Sequence, residues 1–174
     1  YSGMIPISLT PTDADAIRDV FCDAFGDYPV MRFVLGDASG YPQRLRCLIG
    51  FFVGARAVRG EPMYGIRDSS GAIVAAAILS WTGPQDPSPV LERLREETWE
   101  AVGAAERGRY DAYGTASGAM VPADPHWHLN MIGVCRSHAG RGLGGRLLDA
   151  VHDHAARDPR ARGVSLATEL ASNV

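Results

Sequence analysis

Four glycines fall within six residues, at positions 140, 142, 144 and 145, between two segments of opposite character. Ahead of them Leu129 to Val134 is a short apolar run, led in by Pro125 and closed by the polar Arg136 to His138, which reads as a strand and its loop. Behind them Leu143, Leu147, Leu148 and Val151 recur at helical spacing and give one apolar stripe. Residues without a Cβ let bare backbone N–H groups approach a ligand, and the first N–H groups of a helix have no partner within it. Such a turn suits a phosphate. His126 and His128 lead into the strand, and an imidazole, titrating at about pH 6.5, can exchange a proton near neutrality.

Gly140, Gly142 and Gly145 satisfy the G-x-G-x-x-G of a dinucleotide-binding turn, but that turn follows its strand almost at once, whereas residues 135–139 intervene here. Where a ribose-binding acid should stand, about 20 residues on, the chain has Gly163, Val164 and Ser165. Close packing of a helix needs fewer glycines than four. The stretch resembles instead the acyl-CoA pyrophosphate loop of the GNAT superfamily of N-acetyltransferases, Arg/Gln-x-x-Gly-x-Gly/Ala between a strand and a helix. Gly142 and Gly144 meet its second and third positions, and Ala139 replaces the Arg or Gln of the first, removing a side-chain contact but not the backbone cradle. The resemblance implies an acetyl-CoA cosubstrate held by Ala139, Gly140, Arg141, Gly142, Leu143, Gly144 and Gly145, with its pantetheine arm along the backbone of Ile132, Gly133 and Val134. No metal is expected, because the histidines offer no fixed fourth ligand.

Further stretches are similar to puromycin N-acetyltransferase and its bacterial relatives. Ala24 to Pro29 with Arg32 looks like the segment between their first two helices, and Trp127, Leu129, Gly133 and Val134 match. Leu166-Ala167-Thr168 and Asn173 stand where they have Leu-Glu-Thr and Asn, which adds Asn173 to the implied cofactor contacts. The fold implied is α/β (α+β): a mixed, twisted sheet with helices on both faces, antiparallel in its first part and splayed between the strands near 128–134 and 163–169. Residues 1–174 are expected to form a single domain. In the family a helix carrying a Tyr that protonates the CoA thiolate, and then two strands, come after the Asn, so these are expected beyond Val174.

Amide formation requires that a protonated amine lose its proton, that an oxyanion find a donor, and that a thiolate leave. His128 lies six residues before Val134, where histone acetyltransferases of the superfamily carry a glutamate base, and is the first candidate for the base. Glu169 is its rival. The active-site glutamate of the puromycin group falls at Ala167, and a continuing strand would put 167 and 169 on one face, about 7 Å apart. The family implies the backbone N–H of Ile132 or Gly133 as oxyanion donor. Asp27, Tyr28, Phe33 and Tyr41 could line an acceptor pocket, since aromatic faces beside an acid suit a cationic amine. His126, His128 and His138 offer imidazoles to a metal but no fixed fourth ligand. Cys135 could act as a nucleophile, which direct transfer does not need.

Composition bounds the rest. The chain has 174 residues, 46% of them hydrophobic, enough for one well-buried domain and short for two. A net charge of −3 provides no basic field for nucleic acid or an anionic membrane. All 17 basic residues are Arg, so any phosphate site relies on Arg and backbone. Three widely spaced cysteines suggest neither a disulfide framework nor a CxxC site, in keeping with a cytoplasmic location. The partner expected is a small-molecule amine, with room for a homodimer. The alternative is a catalytically silent acyl-CoA-binding or regulatory domain.

Along the chain, Met4 to Leu9 reads as a strand and Thr10-Pro11-Thr12-Asp13 as a helix start, with a helix to about Phe25. Further helices are expected from about Tyr28, over Pro42 to Val58, and from Ser88-Pro89. Met63 to Arg67 and Ala72 to Trp81 form a hairpin around Asp68 to Gly71. Between Arg107 and Asp124 the pattern supports only a short helix near Arg109 to Tyr113 and a loop. Gly163 to Thr168 reads as a final strand, parallel to the central one across a right-handed crossover.

Overall fold

The computed structural model describes residues 4–173; Tyr1 to Gly3 and Val174 lie outside the described residues, as do the helix and two strands expected beyond Val174. The N-terminal signals act as their chemistry dictates. The Thr10 backbone N–H donates to the Asp13 carboxylate at 2.9 Å, and Pro11 opens a 3-10 turn that leads into helix α1, Ala14–Phe25. Helix α2, Pro29–Leu35, and α3, Tyr41–Arg59, come next. Strand β1 is only Ile7–Ser8, shorter than the Met4 to Leu9 expected. It joins β2, Met63–Arg67, which forms the expected hairpin with β3, Ile73–Trp81.

Strand β3 is the centre of the molecule. Ala75 to Leu79 are all fully buried, and small side chains there let helices pack on both faces. Ala76 and Ile78 join the core under α1 and α3, with Ile17, Phe21, Leu48 and Ile49. Ala75, Ala77 and Leu79 turn to the other face, where Leu143, Leu147, Val151 and Ala155 of helix α6, Leu143–Arg157, cover them. The sheet order is β1-β2-β3-β4-β5, antiparallel except that β4, Trp127–Val134, runs parallel to β5, Val164–Ser165. The mixed sheet with helices on both faces is therefore present as expected.

Besides β1, two elements differ from the sequence reading. Helix α4, Pro89–Val102, stops at Gly103 (φ 127°), and a full helix α5, Ala104–Gly118, replaces the short helix and loop. Glycines at 108, 114 and 118 lower its intrinsic propensity, but tertiary contacts offset them. Tyr110 packs against Trp99 and Phe52 with ring centroids 5.0 and 6.0 Å away, and Arg107 grips Glu96 of α4 through bonds of 2.9 and 3.1 Å. The final strand ends at Ser165, not Thr168. Residues beyond it are tied by side chains instead: the Tyr28 hydroxyl bonds Thr168 Oγ1 at 3.2 Å, which draws the segment toward α2 and off the sheet.

Candidate active site

The fork lies at His128. Strands β4 and β5 pair only at Trp127↔Val164 and His128↔Ser165, after which β4 continues to Val134 alone. Register along β3 skips from Ile78↔Met131 to Leu79↔Leu129, so Asn130 is an extra residue, a β-bulge. The bulge switches faces: Trp127 and Leu129 pack with α6, whereas Met131 packs with α1 and α3. His128 and Met131 thus share a face. The Arg56 guanidinium braces this place, donating to Asn130 Oδ1 at 3.1 Å and pairing with Glu61 at 3.1 Å. Cys135 N–H donates to Val74 on β3, so by alternation Gly133 N–H also belongs to that ladder and those of Ile132 and Val134 face the open edge. Of the two N–H groups expected as oxyanion donors, that of Ile132 faces the open edge and that of Gly133 faces β3. Gly133 serves packing, since a Cβ there would lie 3.0 Å from Ala24 and 3.1 Å from Phe21 of α1.

A cleft of about 920 Å³ opens from this fork. It brings His128, Ile132, Gly133, Val134, Gly144, Gly145, Tyr28, Glu169 and Asn173 to one space. His128 Nδ1 lies 2.9 Å from Ser165 Oγ. Burial first, then the charges of His126 and Arg56, lower its pKa, which keeps the imidazole neutral at pH 7. Glu169 reaches the cleft by a different route from the one anticipated. It lies beyond the last strand, held by the Tyr113 hydroxyl at its carboxylate and by a 3.2 Å bond from its N–H to Tyr28 Oη. Burial, and then the bond to Glu169, raise the Tyr113 pKa. Asn173 donates to Thr168 Oγ1 at 3.1 Å.

The glycine turn is built for backbone approach. Gly140 and Gly142 both have φ of 73°, which side chains rarely tolerate, and Gly142 caps α6. The first bond of that helix end is Arg146 N–H to Gly142 O at 3.2 Å. A Cβ on Gly144 or Gly145 would meet nothing within 4 Å, and both line the cleft, so the helix N-terminus presents open backbone there. Ala139, Gly140, Arg141 and Gly142 form the turn outside the cleft lining, Leu143 is buried under the sheet at the first position of α6, and the Arg141 side chain folds back on Ser137 O at 3.2 Å. Backbone N–H groups, without lysine, fit a pyrophosphate.

Not every expected residue arrives. Asp27 is exposed and taken by Arg32 at 2.6 Å and Arg136 at 3.4 Å, and the Arg32 bond holds its carboxyl below the usual range. The Phe33 ring is 53% exposed, and Tyr41 is buried with its hydroxyl on Gly26 O. Of the four, only Tyr28 lines the cleft: Phe33 lies on the exposed side of α2, Tyr41 is buried at the start of α3, and Asp27 lies in the exposed turn before α2. Burial raises the Cys135 pKa, which disfavours thiolate. Among the described residues His, Cys, Asp and Glu form no metal-ligating group, and no helix is long and apolar enough to cross a membrane. The sequence reading missed Arg56, Arg95 and the α5 wall of Tyr110, Tyr113, Gly114 and Ser117. Their i, i+3, i+4, i+7 spacing was the available signal.

A forked mixed sheet above a glycine-rich helix start defines an acyltransferase of the type that takes its acyl group from a phosphate-bearing thioester. The chain belongs to the GNAT acetyltransferase family, whose model matches residues 66–174. Among solved structures it is similar to a Corynebacterium glutamicum protein described as histone acetyltransferase HPA2 and related acetyltransferase, at 23% identity and a TM-score of 0.64, over 94% of this chain and 76% of that one. A GNAT family acetyltransferase from Brucella melitensis, in complex with acetyl-CoA, is 15% identical with a TM-score of 0.56, over 98% of this chain and 79% of that one. An arylalkylamine N-acetyltransferase 2 from Aedes aegypti is 15% identical with a TM-score of 0.55, over 88% and 70%. At these identities the likeness concerns the fold. No curated protein matches the sequence.

Proposed function

We propose that the protein transfers an acetyl group from acetyl-CoA to the amine of a small molecule by direct attack on the thioester. The observation that carries this reading is the position of His128, at the point where β4 and β5 part, in the same cleft as the open helix start at Gly144 and Gly145. The pyrophosphate would lie on the N–H groups of that helix start and the pantetheine arm along the Ile132 to Val134 edge. In the tautomer whose Nδ1 donates to Ser165, His128 Nε2 carries a lone pair and takes a proton from the amine. The amine attacks the thioester carbonyl, the Ile132 N–H supports the oxyanion, and the C–S bond breaks as the amide forms. Starting from the ammonium, the nitrogen gives up two protons on its way to the amide; one ends on the departing thiolate and the other passes from His128 to solvent, so the imidazole ends neutral. Cys135, with its raised pKa, stays outside the reaction.

Release of free CoA, read with a thiol reagent across a panel of amines, tests the reading. Release that depends on amine, with the N-acetyl product identified by mass, is expected. Acetyl-CoA binding with no release for any amine favours a silent acyl-CoA-binding domain, the reading to which Ala139, lacking the family's side-chain contact, lends support.

A further inference from the structure

Resting on that function, we infer that the acceptor is an aromatic amine that also bears a carboxylate, and that Arg95 on α4 receives the carboxylate. The half of the cleft away from the glycine turn is walled by Phe51, Phe52, Leu91 and Tyr110. Aromatic faces and a leucine suit a flat apolar body. The charge inventory of the cleft is unusual for an enzyme of amines. Its one lining carboxylate is Glu169, which accepts from the Tyr113 hydroxyl, while Arg56 and Arg95 supply two guanidinium groups. With Arg56 paired to Glu61, Arg95 is the lining guanidinium that has no ion-pair partner among the described residues.

Arg56 is committed to Glu61 and Asn130, yet its charge reaches His128 closely enough to lower the imidazole pKa. Arg95 forms no ion pair among the described residues, and Glu96 beside it is gripped by Arg107. Its guanidinium carbon stands 5.8 Å from the Phe51 ring centroid, at the cleft wall. A planar fork beside an aromatic face is the geometry that takes a carboxylate while a ring packs against the same wall. Glu169, already bonded by the Tyr113 hydroxyl, is the one lining carboxylate a polycation would meet.

Tryptophan, tryptamine and spermidine, titrated calorimetrically into the CoA complex and assayed for acetylation in parallel, test the inference. Tryptophan is expected to bind roughly ten-fold more tightly than tryptamine, and spermidine more weakly than either. Arg95→Gln should cost tryptophan about ten-fold in affinity and tryptamine less than about two-fold, erasing the preference. Equal or tighter binding of tryptamine, a preference for spermidine, an Arg95→Gln loss shared by both aromatic amines, or no binding of any probe overturns the assignment. Binding of tryptophan that Arg95→Gln weakens, without acetylation, leaves the anion site standing and sinks the transferase reading instead.

Discussion

At His128 the decisive property is protonation. Burial and the neighbouring charges hold its pKa below the usual value for an imidazole, so the proposed base is neutral at neutral pH. The rate on a weakly basic amine should therefore rise with pH through an inflection lying under about 6.5 and then level off. Replacing His128 by Gln should lower kcat by about 10² to 10⁴-fold with little change in CoA affinity, and the rate should partly recover at high pH where the amine deprotonates unaided. A loss of that size in Glu169→Gln, with His128→Gln nearly unaffected, would move the base to the segment after β5. The sign for stability comes from the same shift: below about pH 6.5 the unfolded chain takes up a proton that the folded chain refuses. Folding stability is fully present above that pH and declines as pH falls through it toward the lowered folded value. His128 was legible because a histidine at a strand start, six residues before the loop-side valine, fits a resemblance. Its pKa was not, since the burial that chiefly lowers it, and the Arg56 charge that adds to it, come from elements distant in sequence.

Among the elements, the glycine turn was the most legible, because its chemistry is local. Gly145 sits in a helix with open space beyond its Cα, and valine has the better helix propensity by about half a kcal/mol. Gly145→Val should leave the melting temperature without ligand equal or higher, while abolishing the rise that acetyl-CoA produces. That rise corresponds to roughly 2.7 kcal/mol at about a hundred times the dissociation constant. Retention of the shift in the variant would place the cofactor elsewhere. Gly133→Ala makes the contrasting case, for its Cβ would press on Ala24 and Phe21 across the α1 contact. It should cost roughly 1 kcal/mol in urea denaturation, with α1 displaced from β4. The wall formed by α5 was not legible, because glycines at 108, 114 and 118 mask its period and its support comes from Trp99, Phe52 and Glu96 on other helices. The last strand is shorter than its sequence suggests for a related reason. Leu166 to Thr168 alternate like a strand, but the Tyr28 hydroxyl draws Thr168 away.

Across the whole molecule, one arrangement links the parts: a sheet whose fourth and fifth strands share two residue pairs and then separate, with the open helix start and His128 lining the same cleft. The sequence carried this topology through its order of elements and the strand, turn and helix around residue 140. It could not carry the acceptor chamber, which α2, α3, α4 and α5 assemble from residues far apart in the chain. A crystal structure of the CoA complex tests the central claim most directly. The pyrophosphate should lie on the N–H groups at the start of α6 beside Gly144 and Gly145, the pantetheine arm along the Ile132 to Val134 edge, and the thiol within reach of His128. Density for CoA outside the gap between β4 and β5, or with its thiol directed away from His128, would contradict it.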